Sequence, residues 1–251
     1  MLGTTRIGHI CAPKVRAHST HCVPETSRGA PAIISTTDLP LTEKGIKQAQ
    51  AAQDYLEKLI YPDAYHKVFS SPLMRAKQTA AIICGPNMKI SEINELREMN
   101  LGLLEGLTWD ERNINYPGIN IENALSGAVM PDGEKYQDVK LRCADFIQSN
   151  LVKKYKGKNI LIVSHGITIR VLINVLLNKA DYCVNYINWP DNTAITETEW
   201  SSRSNTWTLR RLNDRRHLKD ANLESSDFET WGAFATADYD QILRHGCHLR
   251  R

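Results

Sequence analysis

Residues 159–172, NILIVSHGITIRVL, constrain the fold more than any other stretch of the chain. Ile160 to Val163 is apolar and rich in β-branched residues, as a strand buried on both faces must be. Ser164, His165 and Gly166 interrupt it, and Ile167, Ile169, Val171, Leu172, Leu176 and Leu177 then recur as on a helix. A buried strand that turns sharply into a helix belongs to a parallel sheet, and the carboxyl edge of such a sheet is where these folds bind ligands. His165 is therefore either a ligand-binding group or an imidazole that caps a loop, and this stretch alone leaves both readings open.

The rest of the chain supplies the partners for that strand. Leu41 to Ile60 is rich in helix formers, with Thr42 as its cap. Lys67 to Phe69 reads as a short strand that runs into a helix carrying Ala76, Ala80, Ala81 and Ile83, with Ser71 and Pro72 at its start. Glu134 to Lys154 reads as an amphipathic helix, and Gly157 separates it from the strand at 159–163. TAITETEW and NTWTLRRLN follow as two strands able to pair. Alternation of this kind predicts an α/β layered domain with a largely parallel sheet. With no internal repeat or low-complexity linker, residues 1–218 form one domain, and residues 219–251 form a tail of weak periodicity.

Composition narrows the partners. A net charge of +3 on 251 residues gives no reason to expect a nucleic acid. Six cysteines without a C-x-x-C pair argue against a zinc site and for a reducing, cytoplasmic compartment. No apolar run approaches the length of a membrane span, and MLGTTRIGHICAPK lacks the apolar core of a signal peptide. A phosphate-cradling G-x-x-x-x-G-K loop is also missing, which removes the simplest nucleotide-binding reading. Oligomeric state leaves no trace in the sequence.

Two further stretches carry chemistry. SSPLMRAKQTA puts Arg75 in the first turn of a helix that follows a strand, where backbone N–H groups and a guanidinium suit the same phosphate or carboxylate guest. A solvent-facing arginine is the plain alternative. LREMNLGLLEGLTWDE adds Glu98, Glu105 and Glu111, and its glycines 102 and 106 indicate an irregular, closely packed backbone. A carboxyl group beside a phosphate pocket can protonate a leaving oxygen. Glu98 is read in that role, whereas Glu105 can simply hold its loop together.

SSPLMRAKQTA, LREMNLGLLEGLTWDE, the P-D-G-E of 131–134, VSHG and NTAITETEW occur in the order seen in the histidine phosphatase superfamily, the phosphoglycerate mutase-like proteins. PLTEKG at 40–45 and LRRLND at 209–214 are similar to that family too, so the resemblance runs from Pro40 to Leu218. It implies a three-layer α/β/α sandwich with a mostly parallel central sheet, and a phosphohistidine mechanism without metal or other cofactor. In that scheme one histidine attacks phosphorus, arginines and a second histidine hold the phosphoryl oxygens, and a glutamate protonates the leaving group. Carried over, Arg75 is the phosphate-binding arginine, Glu98 the proton donor and His165 the second histidine, which would end its strand where it can donate a hydrogen bond to phosphate.

The family's Arg-His-Gly at the end of the first strand is altered here. KVRAHSTHCVPETSRG stands in that region, with Arg16 and His18 separated by Ala17, and the lead-in ICAPK, with Pro13, makes a poor central strand. A literal Arg244-His245-Gly246 sits in the tail, where its use would need a rearranged chain order. His18 is therefore taken as the nucleophile and Arg16 as a second phosphate ligand. The expected activity is hydrolysis of a small phosphorylated substrate. Alternatives are a mutase of the same chemistry, for which the short run between Glu98 and Ser164 leaves little room, and a catalytically impaired phosphate-binding protein, which the altered motif would suit.

Overall fold

The computed structural model describes residues 4–11 (as backbone), 32–59, 65–119, 125–151, 154–155, 157–187 and 189–224. In chain order the strands and α-helices are β1 (Thr4–Cys11), α1 (Glu43–Leu59), β2 (Tyr65–Ser70), α2 (Met74–Cys84), β3 (Ile90–Glu92), α3 (Trp109–Asn115), α4 (Tyr136–Phe146), β4 (Asn159–Ser164), α5 (Gly166–Leu176), β5 (Ile195–Ser201), β6 (Thr206–Asp214) and α6 (Arg216–Asp220). They form one sheet in the order β3-β2-β4-β1-β5-β6. β3, β2, β4 and β1 run parallel, while β5 and β6 are antiparallel to their neighbours. The two strands expected to pair, TAITETEW and NTWTLRRLN, are β5 and β6.

Side chains sort by the two-residue period of a strand. Leu161 and Val163 of β4, with Val68 of β2, pack against Ala52 and Leu56 of α1 and Ala76, Ala80 and Ile83 of α2. Ile160 and Ile162, with Phe69, pack on the other face against Val139 and Phe146 of α4 and Leu172 and Leu176 of α5. Helices thus cover both faces of a mostly parallel sheet, the three-layer α/β/α arrangement expected from the sequence. Burying both faces explains why β4 carries no polar residue between Asn159 and Ser164.

The helix ends differ in how closely they follow expectation. Thr42 does cap α1, its Oγ1 accepting from the Gly45 N–H at 3.1 Å. The helix expected over 134–154 is shorter: α4 spans Tyr136–Phe146 and gives way to a single π-helical turn at Ile147–Leu151. β1, like the shorter β3, α3 and α6, was not among the elements expected from the sequence. It ends at Cys11, opposite Ser164 and ahead of Pro13, and is bonded on one side to β4 and on the other to β5.

The two glycine-bearing loops interlock. Gly102 has φ 52°, and a Cβ there would stand 2.0 Å from the Pro131 carbonyl oxygen. A Cβ on Gly133 would stand 2.5 Å from the Asn100 carbonyl oxygen. The LGLLEG loop and the PDGE turn can approach this closely only because neither residue has a side chain. Among the described residues, no helix is long and apolar enough to cross a membrane.

Candidate active site

β2 and β4 are neighbours in the sheet, with Ser70 opposite Val163, so their strand-to-helix junctions lie side by side. His165 follows β4 as the N-cap residue of α5 and is 2% exposed. Its Nε2 lies 2.7 Å from Ser71 Oγ, in the β2–α2 junction. Ser71 is tied in turn to β4 by its N–H, which donates to the Val163 carbonyl at 2.9 Å. Burial, and then the positive charges of Arg75, Arg142 and Arg97, hold the His165 pKa well below that of an ordinary imidazole. The ring is therefore neutral at physiological pH.

Arg75 occupies the first turn of α2 and is 4% exposed. Its Nη2 donates to the Ser35 carbonyl at 2.6 Å and its Nη1 to the Thr37 carbonyl at 3.0 Å. The other side of that peptide segment belongs to Glu105. The carboxylate accepts from the Ser35 and Thr37 N–H groups at 3.1 and 2.7 Å and from the Ser35 hydroxyl at 2.6 Å. Burial alone would raise the Glu105 pKa, but the hydrogen bonds from Ser35 and Thr37 outweigh it and bring the group to about 2. Residues 35–37 are thus gripped between a guanidinium that takes their carbonyls and a carboxylate that takes their amides. Glu105 holds loops together, the structural one of its two readings.

Glu98 comes to the same place from a third direction. It is 8% exposed and caps α5. Its Oε2 accepts from the Ile167 N–H at 3.2 Å, and its Oε1 from the Thr168 N–H at 3.1 Å, the Thr168 hydroxyl at 3.2 Å and the Met99 N–H at 2.9 Å. A carboxylate at a helix N-terminus satisfies otherwise unpaired amides and complements the helix dipole. The helix capped by Glu98 begins immediately after His165. Arg75, Glu98 and His165 are therefore gathered at one edge of the sheet. Arg16, His18, Arg244 and His245 lie outside the described residues, His18 following the end of β1 by seven positions.

Several residues at this edge had no role in the site assigned from the sequence. Ser71 and Thr168 are two of them, and Arg142 with Glu134 is a third feature. Arg142 pairs with Glu134 at 2.9 Å and donates to the Glu95 and Arg97 carbonyls at 2.6 and 2.8 Å. Glu134 also accepts from the Asn100 N–H at 2.8 Å. This ion pair brackets the segment that carries Glu98. The only signal for it was the P-D-G-E motif, which located Glu134 without saying what it binds. Among the described residues, no three His, Cys, Asp or Glu side chains gather as metal ligands.

The chain is similar in sequence and in fold to known proteins. The chain is 33% identical over 145 residues to 2,3-bisphosphoglycerate-dependent phosphoglycerate mutase 2 of Gloeobacter violaceus, covering 55% of this chain and 64% of that protein's length. It is 28% identical over 196 residues to the metal-independent phosphoserine phosphatase of Arabidopsis thaliana, covering 75% of this chain and 77% of that protein. The native structure of mycobacterial glucosyl-3-phosphoglycerate phosphatase superposes with a TM-score of 0.68 over 83% of this chain and 98% of that one, at 22% identity, a likeness of fold. Residues 21–215 match the histidine phosphatase superfamily (branch 1), and with more than half of its length so matched the chain belongs to that superfamily.

Proposed function

We propose that the chain is a phosphomonoester hydrolase that acts on a small phosphorylated substrate through a phosphohistidine intermediate, without metal. The observation that carries this reading is the meeting of Arg75, Glu98 and a neutral His165 at the carboxyl edge of β2 and β4. In the first step an imidazole nitrogen of His18 forms a bond to phosphorus. The bond from phosphorus to the ester oxygen breaks, and that oxygen takes a proton from Glu98. In the second step Glu98 accepts a proton from water, the water oxygen bonds to phosphorus, and the phosphorus–nitrogen bond breaks to release phosphate. Arg16, Arg75 and His165 hold the non-bridging oxygens throughout. His165, being neutral, contributes a directed hydrogen bond rather than a charge. To reach a leaving group, Glu98 has to turn away from the α5 amides that it caps.

Two other readings rest on particular observations. Identity to a mutase favours phosphate transfer between sugar-acid oxygens. The separation of Arg16 from His18 by Ala17 favours a phosphate-binding protein without turnover.

Hydrolysis of p-nitrophenyl phosphate in EDTA decides among them. Wild type is expected to turn over, His18→Ala to lose all activity, and His245→Ala to retain it. Loss with His245→Ala alone would transfer the nucleophile to the tail. Interconversion of 2- and 3-phosphoglycerate faster than hydrolysis would establish the mutase. Vanadate binding with no turnover by any form would establish the inactive binder.

A further inference from the structure

Ser71 and His165 make a closed hydrogen-bond account from which the position of a proton follows. Ser71 is fully buried, and its Oγ lies 2.7 Å from His165 Nε2. The same oxygen already accepts the Leu73 N–H at 3.2 Å. A hydroxyl has one hydrogen to give, and a buried one left without an acceptor is costly. Among the described residues, His165 Nε2 is the sole acceptor that Ser71 Oγ reaches. Donation in the other direction, from Nε2–H to Ser71, would strand the hydroxyl hydrogen inside the protein. A neutral imidazole carries one proton, so if Nε2 is the acceptor the proton resides on Nδ1. Among the described residues, Nδ1 has no hydrogen-bond partner.

We infer that Ser71 is a positioning residue: its hydroxyl holds His165 in the Nδ1–H tautomer and so presents Nδ1–H as the donor to a phosphoryl oxygen. The identity of the guest rests on the function proposed above, whereas the tautomer rests on the geometry alone. The buried serine thus has a task that its place in a strand-to-helix turn does not require. The hydroxyl that accepts the Leu73 N–H within the turn also sets the polarity of a histidine 94 positions away in the chain. Burial, with the charge of Arg75 added to it, keeps the ring neutral and reinforces the arrangement, since an imidazolium would carry protons on both nitrogens and abolish the distinction.

The full-length protein, labelled with ¹⁵N-histidine, tests this directly. Resonances of His165 are assigned as those lost in His165→Asn. In wild type, Nδ1 is expected to be the protonated nitrogen and Nε2 the bare one; a protonated Nε2 would overturn the inference. In Ser71→Ala, the proton should redistribute toward Nε2, and the affinity for inorganic phosphate should fall about tenfold, the loss expected for one hydrogen bond to an anion. An unchanged tautomer in Ser71→Ala would also overturn it. Should that variant fail to fold, His165→Asn and His165→Gln serve instead, because the amide nitrogen of Asn reaches the Nδ1 position and that of Gln the Nε2 position. Asn is expected to bind phosphate about tenfold more tightly than Gln, and the reverse order refutes the assignment. None of these readouts needs turnover, so the tautomer can stand or fall independently of hydrolysis.

Discussion

Two buried histidines, His165 at the start of α5 and His217 in α6, meet the same kind of partner and come out as opposites. His217 is 3% exposed, and its Nε2 lies 2.9 Å from Thr193 Oγ1. Thr193 Oγ1 gives its own hydrogen to the Asn192 carbonyl at 2.7 Å, so it can only accept from His217. His217 therefore carries its proton on Nε2, and its bare Nδ1 is sealed in the interior without a partner among the described residues. The charged neighbours differ in sign as well. Burial lowers the His217 pKa to about 4 against the pull of Asp214 and Asp220, whereas arginines add to the effect of burial at His165. Burial makes both rings neutral. On the function proposed above, what fits His165 rather than His217 to an anion is the hydroxyl hydrogen it accepts from Ser71 and the positive charge around it.

Removing each ring is the strongest way to break this comparison. His165→Ala is expected to lower kcat/KM for an aryl phosphate about 10²- to 10³-fold, the cost of one pre-aligned donor to a developing charge. His217→Ala should change kcat/KM by less than about threefold and lower the urea midpoint instead, because it empties a core position beneath the Tyr55 ring, 5.6 Å away. Equal losses of activity in steady-state assays of the two variants would erase the distinction.

Acid unfolding sharpens the comparison at the level of stability. His217 has a folded pKa of about 4, below its unfolded value near 6.5. Between those values the unfolded chain binds a proton that the native state refuses, so stability falls as pH is lowered through that window and is unaffected above it. At pH 5 the loss is at most about 2 kcal/mol relative to pH 7.5. His165 is shifted in the same direction and adds to the slope. Glu105, with its pKa of about 2, loses its contribution only in more acidic solution. His217→Gln, compared with wild type by urea unfolding at the two pH values, should remove its share of the loss; an unchanged slope would mean that the ring is not held neutral.

How much of this could be read from the chain depends on whether the cause is local. β4 and α5 were legible because Ile160 to Leu177 state their periodicity within a few turns, and the β5–β6 hairpin because its strands adjoin. β1 was not. Thr-Thr-Arg-Ile-Gly-His-Ile-Cys has no alternation, and it is a strand because β4 and β5 bond it from both sides. Within the site, His165 was marked by its place at a strand end and Arg75 by its place in the first turn of a helix that follows a strand. Each position alone left a plain structural reading open. Ser71 was visible as a helix-start residue, but its partner lies on another strand. Glu98 was legible as a carboxylate near the pocket, yet its capping of α5 depends on a contact across 70 positions that no spacing rule supplies. Arg142 belongs to the same class, since its guanidinium reads backbone carbonyls whose positions exist only in the folded chain.

The finest distinction concerns the hydroxyl beside His217. Thr193 has φ 55°, and the other non-glycine residues with positive φ are Asp132, Asn178, Asn205, Asn213 and Asn222 among the described residues. Asn and Asp tolerate that conformation, whereas a β-branched side chain is strained there by about 1 kcal/mol. Thr193 is fully buried, and its hydroxyl is committed to Asn192 and His217 at once, which keeps the backbone in place despite the strain. Thr193→Ser retains the hydroxyl and removes the methyl group. Relief of strain and loss of about 0.8 kcal/mol of methyl burial nearly cancel, so the expected change in stability is within about 0.5 kcal/mol, with hydrolysis unaltered. Urea midpoints and steady-state rates check both halves of that expectation. A fall in rate without a fall in stability would draw the Thr193–His217 corner into the site and leave His165 with a second histidine as its working partner.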